Sequence, residues 1–238
     1  MSEDSAAPAP GRPTWSRYLL VAGAAVALLL LGAAAGVLLG VPGSSSGQAT
    51  PKSDSVDVGF AQDMTVHHEQ AVQMATWERD HTTDPRLRQL AFDIESGQSR
   101  QIGHMQGWLA LWDAAALPSG PHMKWMSAEG SGQMDHMSSG SMSGSTPSAS
   151  GVDRMPGMAT DDDLRRLRSS TGAALDTLFL QLMLRHHEGG TGMLAYAAQY
   201  ASIPDVKNLA SQMLRAQTTE SEYMRQLLTQ LGAAPLPG

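Results

Sequence analysis

The chain has 238 residues, a formal net charge of −7 and no cysteine. Without cysteine there are no disulfides and no thiolate ligands, so soft-metal chemistry falls to methionine and histidine. The acidic balance, with no Lys/Arg cluster beyond the N-terminal flank, argues for no nucleic acid partner.

Residues 1–17 form a flank carrying Arg12 and Arg17. Residues 18–41, YLLVAGAAVALLLLGAAAGVLLGV, carry no charge. A bilayer-spanning helix needs about 20 apolar residues, and the positive-inside rule keeps the arginine flank cytoplasmic. The expectation is a single-pass signal anchor in the cell membrane, a transmembrane helix with an extracytoplasmic C-terminal domain. The alternative is a signal peptide, cleaved near Gly47-Gln48-Ala49, that releases a secreted protein. Residues 42–56 are small and polar and read as a flexible spacer.

Residues 57–116 read as a helical hairpin. Phe60, Met64, His67, Ala71 and Met74 recur in steps of four and three, one face of an amphipathic helix. Pro85 opens a second helix, as proline favours a first turn. Its apolar face runs from Leu87 through Leu90, Ile94 and Met105 to Leu109 and Trp112. Residues 117–160 lose periodicity and are rich in Gly, Ser and Pro, a linker. Residues 161–234 begin with a short charged helical turn, DDDLRRLR. A long helix over Ala173–Ala201 follows, then another from Pro204.

The two hairpins are a duplication. Adding 119 to a first-half position gives its mate: Asp57 meets Asp176, Met64 meets Met183, His67-His68-Glu69 meets His186-His187-Glu188, and Met74 meets Met193. The register continues through Pro85 and Pro204, Gln98 and Gln217, and Met105 and Met224. Two amphipathic hairpins bury their stripes best against each other. The expected fold is all-α, a four-helix bundle behind an N-terminal transmembrane helix.

At about 100° per residue, His67 lies on the buried stripe and His68 on its flank. Met64 precedes them by three and four residues, so it neighbours both on the helix surface. Met183 stands in the same relation to His186 and His187. Met105 and Met224 lie on the apolar stripes of the partner helices. Thioether and imidazole together suit Cu(I) and, by the same softness, Ag(I). Ordinary core packing is the competing reading for the methionines. Glu69 and Glu188 read either as partners that orient the imidazoles or as solvated charges. Gly189, Gly190 and Gly192 inside a helix either permit a close approach or loosen the turn.

The linker adds His122, Met123, Met126, Met134, His136, Met137, Met142, Met155 and Met158. Methionine and histidine at short intervals in a flexible segment make a soft-metal trap, with His122-Met123 and His136-Met137 as compact pairs. Trp125 between them offers a ring face to a cation.

The pattern Phe-x3-Met-x2-His-His-x5-Met, followed by a helix with Gln, Met and Leu in matching positions, resembles the bacterial "domain of unknown function 305" family. That resemblance implies a ferritin-like helical fold. Some members are similar to CopM-type periplasmic copper-binding proteins. Gly189 and Glu220 match the family pattern, whereas Gln70 and Gln101 replace them in the first copy. The leading expectation is a copper buffer or metallochaperone, not an enzyme, with Cu(I) as cargo and a copper-handling protein as partner. Its ligands would be His67, His68, His186 and His187, with Met64, Met74, Met105, Met183, Met193 and Met224. The alternatives are a metal-free membrane-anchored bundle and a ferritin-like di-metal oxidase. The oxidase reading needs Glu-x-x-His from each of two helices, and the chain has one, Glu78 to His81.

Overall fold

In the computed structural model the described residues are 15, 23–29, 31–32, 50–126 and 151–237. Residues 1–49 and 50–238 form separate units. The first is helical where described. Much of the expected span at 18–41 lies outside the described residues. Among those described, no helix is long and apolar enough to cross a membrane.

The second unit is all-helical in its long elements. These are α1 (Val56–His81), α2 (Pro85–Leu111), α3 (Asp161–Ser169), α4 (Gly172–Tyr200) and α5 (Pro204–Gln230). Local chemistry sets the boundaries. Ser55 caps α1 by accepting from the Val58 N–H, and Asp84 caps α2 by accepting from the Arg86 N–H at 2.8 Å. Pro85 and Pro204 disfavour helix at the residue before them, and Asp84 and Ile203 are indeed extended. Thr160 and Asp163 form a reciprocal capping box at the start of α3.

The duplication is visible in space. α1 packs on α2 and α4 on α5, and the hairpins meet along α1 and α4. The repeat mates Asp57 and Asp176 each reach the interhelix turn of the other hairpin. Asp57 accepts from the Ser202 N–H at 3.0 Å and the Ile203 N–H at 2.8 Å. Asp176 accepts from the Thr82 hydroxyl at 2.8 Å. α1 and α4 are therefore antiparallel, each start tied to the other's end.

The core falls into two apolar clusters. One holds Phe60, Met64, Met105, Met193 and Met213, and the other Met74, Ile94, Phe179, Met183 and Met224. On α1 the first ends at Met64 and the second begins at Ala71; on α4 the second ends at Leu184 and the first resumes at Met193. The paired histidines occupy the gap on both helices, a polar waist between two apolar halves.

Both ends of the segment read as a linker are packed parts of this unit. His122 and Val152 exchange backbone hydrogen bonds of 2.8 and 2.9 Å. Buried Asp63 accepts from the Met123 N–H, the Trp125 indole N–H and the His122 ring. Trp125 lies over Gly59, where any Cβ would collide with its ring, and meets Phe60 edge-on at 6.0 Å. At its ends the segment is thus a strap held by α1, where the sequence suggests a flexible arm throughout.

Glu78 on α1 is fully buried, and neither carboxyl oxygen has a hydrogen-bond partner in the protein. Burial and the nearby Asp176 carboxylate push its pKa up to about 9. The folded state therefore holds a proton that the unfolded chain has released above the ordinary carboxyl range. That contribution to stability is present below pH 4.5 and is lost as pH rises towards 9. Glu78→Gln keeps the shape and removes the titration. It is expected to be more stable than the wild type at pH 8.5, on the order of a few kcal/mol, and nearly equal at pH 4.5. Urea unfolding at the two pH values measures the difference.

Candidate metal centre

The waist is built from two histidine pairs related by the repeat. His67 and His186 face each other across the α1–α4 contact with ring centroids 3.8 Å apart. His68 and His187 flank them, each centroid over 6 Å from its neighbour in sequence (6.4 and 6.3 Å). All four are essentially inaccessible to solvent.

Every one of these rings has an oxygen at its Nε2. His186 Nε2 lies 2.9 Å from the His67 carbonyl, and His67 Nε2 lies 3.3 Å from the Pro156 carbonyl. His68 meets the Gln101 side-chain oxygen at 2.8 Å, and its mate His187 meets the Glu220 carboxylate at 2.7 Å. A carbonyl or carboxylate oxygen can only accept, so Nε2 carries the hydrogen in three of the rings. The Gln101 oxygen asks the same of His68. Nδ1 is then a bare lone pair in each ring. None of the four Nδ1 atoms has a hydrogen-bond partner in the protein. Their mates in the layer, Gln98 and Gln217, are buried with both amide atoms likewise unpartnered. Buried polar atoms normally find partners, so this concentration at one level of the bundle is informative.

Burial also favours the neutral form of three of the rings, His67, His68 and His186. It lowers His67 to about 4 against the pull of the Pro156 hydrogen bond, and it lowers His68 to about 3 with help from the neighbouring His67. His186 is driven well below its ordinary value by burial and then by the other histidines. Neutral imidazole is the form that ligates metal, and a ligating ring typically gives its second N–H to a carbonyl or carboxylate. His67, His68 and His186 have that arrangement.

The thioethers divide by cluster. Met64, Met105 and Met193 lie on one side of the waist, and their mates Met183, Met224 and Met74 on the other. All six are fully buried. Each set draws on three helices. Among the described residues, no three His, Asp or Glu side chains converge as they would on one ion.

The remaining candidates separate from this layer. His122 is fixed by Asp63 at 2.6 Å and Met123 is buried in the core, so neither is displayed on an arm. His136 and Met137 lie outside the described residues. Glu69 is exposed, and Glu188 pairs with Arg225 at 2.5 Å. The groups that orient the histidines are instead Gln101, Glu220 and two backbone carbonyls. Glu95 pairs with Arg79 at the surface and takes no part in the waist.

The strap explains two residues that break the repeat. Met155 to Ala159 crosses α1 and α4 at the waist. A Cβ at Gly189 would collide with the Pro156 backbone. Its mate Gln70 accepts from the Ala159 N–H at 2.6 Å and donates to the Ala159 carbonyl at 3.1 Å. Gly189→Ala is expected to displace the strap and to cost about 1–3 kcal/mol through overpacking. Limited proteolysis near Pro156, compared with the wild type, should show the displacement directly.

A duplicated helical bundle divided by a histidine waist defines the class of this protein. Residues 57–228 match the domain of unknown function 305 (DUF305), and the chain belongs to that family. A candidate secreted DUF305 protein from Streptomyces coelicolor is similar in structure, with 36% identity and a TM-score of 0.66. That match covers 79% of this chain and 100% of the other. A DUF305 fragment from Deinococcus radiodurans is 26% identical with a TM-score of 0.53, covering 74% and 96% of the two chains. CopM in its Cu(I)-bound form shares the fold at 22% identity and a TM-score of 0.52, covering 73% and 96%. No curated protein matches the chain.

Proposed function

We propose that the bundle binds Cu(I) at the histidine waist and serves as an extracytoplasmic copper buffer or metallochaperone. The observation that carries this reading is the set of four buried imidazoles. Each has Nε2 committed to an oxygen acceptor and Nδ1 without a partner in the protein. Leaving a buried acceptor unsatisfied costs about 1–3 kcal/mol, and a soft cation would remove that cost.

The thioether sets supply what the imidazoles lack. Met64 lies three and four residues before His67 and His68, and Met183 bears the same relation to its own pair. Imidazole and thioether select Cu(I) and Ag(I) over hard cations. CopM, which shares the fold, is known in Cu(I)-, Cu(II)- and silver-bound forms. The Streptomyces relative, a candidate secreted protein, supports an extracytoplasmic location. The apolar residues 18–41 would tether the bundle to the membrane or direct its export. The role is binding and transfer to a copper-handling partner, without turnover.

The test is thermal unfolding of the 238-residue protein in detergent micelles, titrated with Cu(I) under reducing conditions. Ag(I), Zn(II) and Fe(II) run alongside. A rise specific to Cu(I) and Ag(I) supports the reading. A response to Fe(II) alone points to the di-metal alternative, and no response to any ion leaves a metal-free bundle.

A further inference from the structure

The two halves of the waist are not equal in charge. His68 rests on the neutral amide of Gln101, whereas its mate His187 rests on the Glu220 carboxylate. His187 has no exposed side-chain surface, but the Glu220 side chain is 27% exposed. Glu220 is thus at once the partner of a buried histidine and a surface carboxylate.

Its exposed side lines a groove of about 550 Å³ between α2 and α5, together with Arg86, Leu90, Asp93 and Tyr223. Arg86 is already held by Asp84 at 2.7 Å and by the Gln230 oxygen at 2.7 Å. Asp93 and Glu220 give the groove its negative character. The repeat mates on the opposite face are Gln212 for Asp93 and Gln101 for Glu220, with Arg100 in place of Thr219. Both of these carboxylates are lost there and Arg100 is gained, while Asp205 stands in place of Arg86. The groove therefore carries a formal charge of −1 from Arg86, Asp93 and Glu220, and its mate face, with Arg100 and Asp205, carries none.

The polar path continues inwards from Glu220. Gln217, one turn earlier on α5, is 95% buried (5% exposed) with both amide atoms unpartnered. Its oxygen and the His67 ring both approach Gly190: a Cβ there would lie 3.4 Å from the oxygen and 3.1 Å from His67 Cε1. The mate of Gly190 is Ala71, so the side chain is shortened on the Glu220 side alone. Glu220 thus reaches His187, and one turn away Gln217 and His67 stand together beside Gly190.

We infer that the α2–α5 groove is the loading port of the waist, with Glu220 as the carboxylate that receives an incoming monovalent soft cation at the groove before it moves inward to the unpartnered Nδ1 atoms of the waist. This rests on the copper-binding reading above. Clefts lined by one sign of charge raise cation on-rates by about 10–10³. A carboxylate also offsets the charge that the ion carries into a low-dielectric interior.

The test uses the 238-residue protein in micelles and follows Cu(I) transfer from a chromogenic chelator by stopped flow. Glu220→Gln converts the port to the first-repeat form. The Gln101–His68 bond shows that an amide can hold its histidine in this position. The variant should load about tenfold more slowly, and its rate should lose most of the wild type's ionic-strength dependence. A Glu220→Gln protein that loads at the wild-type rate overturns the port, as does one that loses capacity without slowing. A wild type that takes up no Cu(I) overturns the binding reading and the port with it.

Discussion

Replacing His67, His68, His186 and His187 together by glutamine is expected to abolish the Cu(I)-induced rise in unfolding temperature. Glutamine is chosen over alanine for a physical reason. Its amide N–H₂ sits near the position of imidazole Nε2, so it can still donate to the Pro156 and His67 carbonyls and to Glu220. What it lacks is the ring and the bare Nδ1. The wild type at a free Cu(I) concentration of about 100 times Kd should gain about 2.7 kcal/mol. In a bundle of this size that is a rise of roughly 5–10 °C. The fourfold variant should melt cooperatively at a temperature that copper does not move. Substituting only His67 and His186, the pair in ring contact at 3.8 Å, separates the centre of the waist from its flanks.

The second large effect is the response to acid. His67 and His68 titrate at about 4 and 3 in the fold, and His186 also lies well below the ordinary 6.5. Depressed folded values mean that the unfolded chain binds more protons below pH 6.5. The contribution is fully present above pH 6.5 and drains away as pH falls through about 4 to 3. Summed over these rings the loss is on the order of several kcal/mol, enough to unfold a domain of ordinary stability. The fourfold glutamine variant should lose most of this acid limb. Urea unfolding midpoints between pH 7 and pH 4 would show it. Copper should shift the wild-type limb to lower pH, because protons and metal compete for the same lone pairs.

Much of this architecture is legible in the sequence because the chain was duplicated without a gap inside the repeat. The offset of 119 pairs Asp57 with Asp176 and Pro85 with Pro204, and each pair does the same work in both halves. The inward face of His67 follows from helix periodicity alone. What periodicity cannot reveal is where an aperiodic segment lands. The 117–160 stretch reads as a linker because its composition is small and polar. Its ends are nevertheless held by single residues on α1, Asp63 for Trp125 and Gln70 for Ala159. The signal was present as a break in the repeat: Leu182 stands opposite Asp63, and Gly189 opposite Gln70.

The polar layer was also half written. Gln98 and Gln217 keep register under the offset, on faces otherwise apolar, so a polar residue stands twice in a buried stripe. The methionine readings differ from the fold in one respect. Helix spacing places each methionine near its own histidines, but only the packed bundle shows that Met193 joins Met64 and Met105 across hairpins, as Met74 joins Met183 and Met224. That exchange depends on the antiparallel α1–α4 contact, which no single helix encodes.

The most direct measurement is anomalous diffraction from crystals of the protein grown with Ag(I), recorded beside crystals grown without it. The account predicts silver at the level of His67 and His186, bonded to at least one Nδ1 atom and to sulfur from a methionine set. Silver found only on exposed residues, with the waist unchanged from the silver-free crystal, would contradict it.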